Sequence, residues 1–487
     1  MSKNEETIKE LKPYEVFKYF AEISDVPRGS GNTDKIVDYL VDFAIKNHLK
    51  YKKDDANNVI IIKETKNKKK SCIALQAHTD MVCVKTDDCS KDMTKEGIEF
   101  VVDGNWLTAD KTTLGADDGI GMAIILAILT DENDYDRDVV GIFTNDEEIG
   151  LLGANAIDLS DIKVDKLINL DSEEFGVAVT GCAGGTQLEY EKKCQLVDGS
   201  KGIVLNIEVS GLIGGHSGME IMKNRRNANK ILVEALYNIF QKIEFGIVSI
   251  NGGNFNNAIP NQSRAKIVIE SNVSNNEITN IVKSIIEEVV LKYKKCEPDI
   301  SITFNIESNQ KNIKIISKKE TKEILDALYN LPDGLIATFK DKPDIAETSL
   351  NLGVVKTEGD TIRIANLVRS NVNEKREKLN EEVFAILNKN GFAKTMDDSY
   401  PAWEYKKTEL EEFLTKSFEK SFDKKLNVEI THGGLECGIL LEKMKGAEAI
   451  AIGPTILGAH TTEEKLDIDT VGKIYSLLIK LLNGLIR

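Results

Sequence analysis

The sequence predicts an α/β protein in which a largely parallel sheet carries helices on both faces and is interrupted by an inserted α+β segment. Three observations lead there. Short apolar runs alternate with amphipathic helical patterns through residue 183. From residue 184 to 390 the strands instead alternate apolar and polar positions, as half-exposed antiparallel strands do. The first pattern then returns from 391 to 487. A chain of 487 residues exceeds one hydrophobic core, so about two to four domains are expected.

The elements follow in order. Pro13 to Ile23 and Thr33 to His48 read as amphipathic helices; the second gathers Ile36, Val37, Leu40, Val41 and Ala44 on one face. Asn58 to Ile62 reads as a strand, and Ser71 to Ala77 as a buried strand running into His78. Gly119 to Thr130 reads as an apolar helix whose start carries Asp117 and Asp118. Val139 to Thr144 is a strand followed by Glu147 and Glu148, and Lys166 to Leu170 a strand followed by Asp171. In open α/β sheets, sites lie beyond the carboxyl ends of the strands, where three of these polar clusters fall.

After Gly181–Gly185 the character changes. Ile203 to Val209 is strand-like, a glycine-rich turn with His216 follows, and Asn227 to Lys242 is helical. A strand and helix pair at Arg264 to Val273 and Glu277 to Lys292 is echoed by Thr361 to Val368 and Glu374 to Leu387, which suggests a duplicated α+β unit. Residues 184–390 are therefore expected to be one inserted domain. Thr408 to Phe422 (helix), Leu426 to Thr431 and Ala447 to Gly453 (strands) and Val471 to Leu485 (helix) resume the first domain. A first domain built from 1–183 and 391–487 would bring His460 back to His78.

The net charge of −16, from 63 basic and 79 acidic residues, disfavours nucleic acid and anionic membrane as partners. Seven cysteines without a CxxC pair suit a reducing compartment, and the amino terminus lacks the apolar core of a signal peptide; a cytoplasmic location is expected. Ile120 to Leu129 is too short to span a bilayer. Neither a G-x-S-x-G elbow nor a P-loop occurs.

Of five histidines, His78 and His460 accompany carboxylate clusters in a pattern suited to two cations. A two-metal hydrolytic site needs a bridging carboxylate, an imidazole and a further carboxylate for each ion, and a base outside the coordination sphere. Asp117 suits the bridge, His78 and His460 one ion each, and Glu148 and Asp171 complete the two sets. Glu147 can then face the water. Asp80, two residues beyond His78 on extended chain, can orient its ring. The bland alternatives are structural histidines, solvated acidic loops and, for Asp80, a turn residue. The set suits zinc, while cobalt or manganese would fit similar ligands.

At His78-Thr-Asp80, Leu114-Gly-Ala-Asp-Asp-Gly119, Asp146-Glu-Glu-Ile-Gly150 and Asn169-Leu-Asp171 the chain resembles the co-catalytic zinc exopeptidase and deacylase family of aminoacylases, carboxypeptidase G and succinyl-diaminopimelate desuccinylase. Gly214-Gly-His-Ser-Gly218, Asn257-Ala-Ile-Pro260, His432-Gly-Gly-Leu-Glu-Cys-Gly438 and Ile452-Gly-Pro454 with His460 extend the likeness over nearly the whole chain. The resemblance implies a discontinuous di-metal exopeptidase domain with a lid, and two divalent ions on His78, Asp117, Glu148, Asp171 and His460. It implies Glu147 as general base, Asp80 supporting His78, and often a cis peptide after Asp117. It also implies that His216 stabilises the oxyanion and that Asn257 and Arg369 hold substrate polar groups. Arg369 could instead be a solvated surface residue, and Glu436 could read a substrate ammonium or be structural. The expected activity is hydrolysis of unblocked dipeptides, including Xaa-His, by a monomer or homodimer. An N-acyl amino acid deacylase or tripeptidase would share the metal chemistry; a non-catalytic metal-dependent binding protein would have a broken ligand set.

Overall fold

The computed structural model describes residues 2–65, 72–135, 137–270, 273–307 and 312–484. Met1, Ser71, Leu485 and residues 271–272, which enter the expectations above, lie outside the described residues. The chain forms two compact units: Met1–Gly181 with Tyr405–Ile430 and Leu435–Arg487, and Cys182–Glu404 with Thr431–Gly434.

The first unit is built on an eight-stranded sheet. In spatial order its strands are Lys50–Lys53, Val59–Lys63, Val139–Thr144, Cys72–His78, Val164–Asn169, Glu448–Ala451, Val177–Cys182 and Asn427–Thr431. The central strands, from Val139–Thr144 to Glu448–Ala451, run parallel. The pairings toward the Lys50 edge are antiparallel, because Lys50–Lys53 and Val59–Lys63 form a hairpin that needs no crossover helix. In the parallel register His78 lies opposite Thr144, and Gln76 opposite Asn169. The carboxyl ends of these strands therefore lie side by side, and the polar clusters follow them.

Helix Ala116–Thr130 is apolar all round and buried from Gly119 to Leu129, as a helix with no wet face must be. It packs against helix Tyr14–Ser24 and strand Cys72–His78. Ile124, Ile125 and Leu126 are fully buried; each such side chain contributes roughly 1.5–3 kcal/mol of apolar burial. This anchors the helix start that bears Asp117. The closing helix Ile468–Gly484 adds Val471, Leu478 and Leu481 to the same core.

The second unit holds a nine-stranded antiparallel sheet. Its order is Ser301–Glu307, Ile203–Ser210, Ser263–Ile269, Gly246–Gly252, Lys342–Glu358, Thr361–Ser370, Gly184–Lys193 and Ala393–Tyr400, with Gly334–Phe339 also paired to Lys342–Glu358. Helices Ala228–Phe240, Asn275–Tyr293, Lys318–Asn330 and Asn373–Lys389 supply the apolar partners. Leu205, Ile207, Leu232, Leu236, Ile267 and Leu350 belong to its separate core. This unit runs beyond residue 390 to Glu404, because Ala393–Tyr400 pairs with Gly184–Lys193. Among the described residues no helix is long and apolar enough to cross a membrane.

Candidate metal centre

Four segments of the first unit converge on Asp117. His78 ends its strand, and its Nε2 lies 3.0 Å from Asp117 Oδ1. His460 comes from the loop before the closing helix, and its Nε2 lies 3.1 Å from Asp117 Oδ2 and 2.8 Å from Glu148 Oε1. Asp171, two residues beyond strand Val164–Asn169, places Oδ1 3.9 Å from His78 Nε2. One candidate ligand atom from each of His78, Asp117 and Glu148 lies within 4.8 Å of the others. Each oxygen of Asp117 thus faces a different imidazole. The Asp117–Asp118 peptide is cis.

Asp80 connects two of these segments. Its carboxylate accepts from Ser30 Oγ (2.8 Å) and from the backbone N–H groups of Glu147 (2.9 Å) and Glu148 (3.3 Å), while Oδ1 lies 3.4 Å from His78 Nδ1. Burial would raise its pKa, but the His78 hydrogen bond and charge, with Ser30 and the Glu147 N–H, hold it at about 2. The same anion orients the His78 ring and fixes the turn that presents Glu147 and Glu148.

The electrostatics of this cluster are those of acids crowded out of water. Burial pushes Glu147 well above the ordinary carboxylate range; the His78 charge opposes this, and Glu436, Glu148 and Asp117 add to it. Asp171 is raised by burial and by the Asp117 charge. His460 is pushed up to about 11 by the Asp117 and Glu148 carboxylates beside it. Two imidazole Nε2–H groups have too few protons for the oxygens around them: Glu148 Oε1 is buried with no hydrogen-bond donor despite its 2.8 Å approach to His460. This imidazole and carboxylate donor set fits divalent cations. His460 and Asp146 hold their backbones at φ 64° and 50°, a left-handed conformation costly for residues with side chains and retained where surrounding contacts over-determine it.

The supports of this centre include Arg28 and Glu464, which no motif announces. Arg28 is 1% exposed, and its guanidinium donates to the carbonyls of Thr79 (3.1 Å), Asp80 (2.9 Å) and Gly115. Glu464 accepts from the N–H groups of Leu114 (2.7 Å), Gly115 (2.9 Å), Ala116 (2.8 Å) and Asp117 (3.4 Å) at the start of the apolar helix. Gly115 stands before that helix at φ 68°, where a Cβ would lie 2.7 Å from Arg28 Nη2. Glu436 is fully buried; it accepts from Gln76 Nε2 (2.6 Å) and Thr144 Oγ1 (2.7 Å), and burial lifts it to about 7. Gln76 in turn accepts from Asn169 Nδ2 at 2.6 Å, so these side chains link three strand ends.

His216, Asn257 and Arg369 belong to the second unit. His216 Nδ1 accepts from the N–H groups of Gly218 (3.2 Å) and Met219 (3.0 Å), which puts the proton of the neutral ring on Nε2. At Gly215, φ is 136° and a Cβ would lie 2.0 Å from Arg225 Nη1, so only glycine fits beside this histidine. Asn257 is exposed, and its carbonyl accepts from Ser217 N at 2.8 Å. Arg369 is buried, not a solvated surface residue; Nη1 lies 3.1 Å from Tyr400 Oη and Nε has no partner. His432 Nδ1 lies 2.9 Å from Asn371 Oδ1, and Nε2 lies 2.8 Å from Ser349 Oγ.

The chain is 31% identical to the cytosol non-specific dipeptidase of Escherichia coli (strain K12), over 98% of each chain. The crystal structure of aminoacylhistidine dipeptidase from Vibrio alginolyticus superposes with a TM-score of 0.85 at 29% identity, covering 98% of each chain. Aminopeptidase PepT from Bacillus cereus ATCC 10987 shares the fold alone, with a TM-score of 0.55 at 16% identity over 98% of this chain and 100% of that one. The model of Peptidase family M20/M25/M40 matches residues 74–484, and this chain belongs to that family.

Proposed function

We propose that the chain is a metal-dependent dipeptidase that cleaves the amide bond of unblocked dipeptides, Xaa-His among them. The observation that carries this reading is Asp117, whose two oxygens are addressed by His78 and His460 from opposite ends of the chain. His78, Asp117, Glu148, Asp171 and His460 would hold two divalent ions, zinc by the donor set. The pair would supply Lewis acidity and an acidic water. The printed names of the full-length relatives, both dipeptidases, support the substrate class.

The chain's own residues do the proton work. Glu147 adjoins a proposed ligand and is half-buried, and desolvation gives its carboxyl the raised pKa that suits a group that takes a proton from water and returns it to the leaving amine. Asp80 keeps Glu147 in place through its N–H and keeps the His78 ring oriented. Glu436 supports the strand ends through Oε2, which accepts from Gln76 and Thr144, while its buried Oε1 has no hydrogen-bond partner among the described residues. His216 is assigned the oxyanion donor, its Nε2–H fixed by the two bonds to Nδ1. Asn257 and Arg369 are assigned to substrate polar groups, Arg369 to the terminal carboxylate. The relative's name and seven cysteines without a CxxC pair support a cytoplasmic location.

The test is Glu147→Gln in metal-loaded protein. Turnover of Ala-His should fall by about 10³-fold or more while metal content stays unchanged. Retained turnover removes Glu147 from its role. A panel of Ala-His, Gly-Gly-Gly and an acetylated amino acid separates this activity from a tripeptidase or deacylase.

A further inference from the structure

Beside Glu148, within the first unit, a cavity of about 320 Å³ opens between the Gly29–Asn32 segment, the Met81–Cys83 segment and Met93–Thr94. These walls are tied together. Met81 N donates to Arg28 O (3.1 Å), Ser30 N to Met81 O (3.3 Å), and Asn32 Nδ2 to Thr94 O (3.0 Å). The lining is apolar and soft: Met81, Val82, Cys83, Met93 and Ile149. Among the described residues, Glu148 is the one charged residue that lines it. Ile149 projects from the same turn as Glu148 and is 54% exposed, an apolar side chain with no core to join.

We propose that this cavity is the subsite for one side chain of the dipeptide, and that it selects neutral apolar side chains of leucine or methionine size. The inference rests on the dipeptidase reading and deepens it. Three features carry it. The cavity shares Glu148 with the metal centre, so an amide held at the centre has the cavity within one residue's reach. Its volume lies at the small end of the ligand-pocket range and is ample for one side chain. Its two methionines can repack around different apolar shapes, whereas an acidic side chain would lose water and find no cationic side chain among the described lining residues.

The floor offers a graded handle. A Cβ at Gly29 would lie 2.8 Å from Cys83 Sγ, so the thiol is packed against the Gly29 backbone at the cavity wall. Cys83→Phe should shrink the subsite and Met93→Ala should enlarge it. In the metal-loaded wild type, kcat/KM for Leu-Leu and Met-Met should exceed that for Asp-Asp by about tenfold or more. Cys83→Phe should lower the Leu-Leu to Ala-Ala ratio by about tenfold, and Met93→Ala should shift preference toward Phe-Phe. Mixed dipeptides such as Leu-Gly and Gly-Leu then show which residue enters.

A binding readout accompanies the rates. In Glu147→Gln, saturating Leu-Leu should slow alkylation of the exposed Cys83 by N-ethylmaleimide, followed by peptide mass mapping, and Asp-Asp should not. The two readings fail differently. If the loaded wild type cleaves no dipeptide, the dipeptidase reading falls and takes this one with it. If it cleaves dipeptides but the ratios are the same in both variants and Cys83 labels at the same rate with Leu-Leu, the subsite is elsewhere and this proposal alone is overturned.

Discussion

The histidines show how far a side chain's role depends on what it faces. His78 and His460 face carboxylates and are driven toward the charged form, whereas His432 faces a hydroxyl and an amide and is kept neutral. Asn371 donates through Nδ2 to Thr431 O, so its Oδ1 accepts from His432 Nδ1–H and Ser349 Oγ–H donates to Nε2. Burial, then the positive charge of Arg369, lowers His432 to about 3. Its folded pKa lies below the unfolded value of about 6.5, so the unfolded chain takes up the proton first as pH falls. The contribution is fully present above pH 6.5 and is lost progressively down to pH 3, amounting to a few kcal/mol on the order of magnitude. His432→Gln should therefore be less stable than wild type at pH 7, by about 1–2 kcal/mol of lost hydrogen bonding. That difference should close or reverse by pH 4 in urea denaturation; a constant difference would refute the neutral-histidine account. His432 was recognisable as a motif residue, but its protonation could not be read from the sequence, because Ser349 and Asn371 lie far from it in the chain. Arg28 was silent for a related reason: it bonds backbone carbonyls, and a carbonyl leaves no trace in residue type.

At the scale of elements, strands and helices of the first unit were legible because their apolar periodicity is strong. Strand Val139–Thr144 was read to the residue, and the apolar helix was read from Gly119 where it starts at Ala116. Those three residues differ because the helix start is not specified locally. The kinked turn at Asp117 and Asp118 is held from outside by Glu464, which satisfies N–H groups that every helix start leaves without partners. Glu464 also closes the compact loop that carries His460, with its own N–H on Thr461 O at 3.2 Å. One side chain thus ties Asp117 to the loop that carries His460. Glu464→Gln keeps the shape but replaces one acceptor oxygen with a donor facing other donors. It should cost about 2–4 kcal/mol in chemical denaturation and weaken the ion held by His460 about tenfold or more, read by metal titration. An unchanged metal affinity with reduced stability would leave Glu464 as a helix cap and nothing more.

At the scale of the whole molecule, the return of the chain's far end to the first sheet was foreseeable from the strand and helix pattern after residue 408, and it alone explains how His460 reaches Asp117. The far limit of the second unit was not. Strand Ala393–Tyr400 is an edge strand exposed along nearly its whole length, and its polar sequence Ala-Lys-Thr-Met-Asp-Asp-Ser-Tyr carries no apolar period to announce it. Each unit has its own apolar core, and the proposed ligands all lie in the first. Removing metal should therefore act unevenly. In the first unit, chelation would leave Asp117, Glu148 and Asp171 crowded with Glu147, with only the His78 and His460 imidazoles to offset their charge. Binding at about 100-fold above Kd stabilises a folded state by about 2.7 kcal/mol, which for a unit of this size corresponds to a rise of roughly 5–10 °C in Tm. Calorimetry of chelated protein should show one transition lowered by that amount and restored by zinc, and a second, from the core of Leu232, Leu236 and Ile267, that does not move. Equal shifts of both transitions would mean that the units unfold together; no shift of either on full removal of metal would show that the carboxylate cluster is stable without cations and would count against the centre itself.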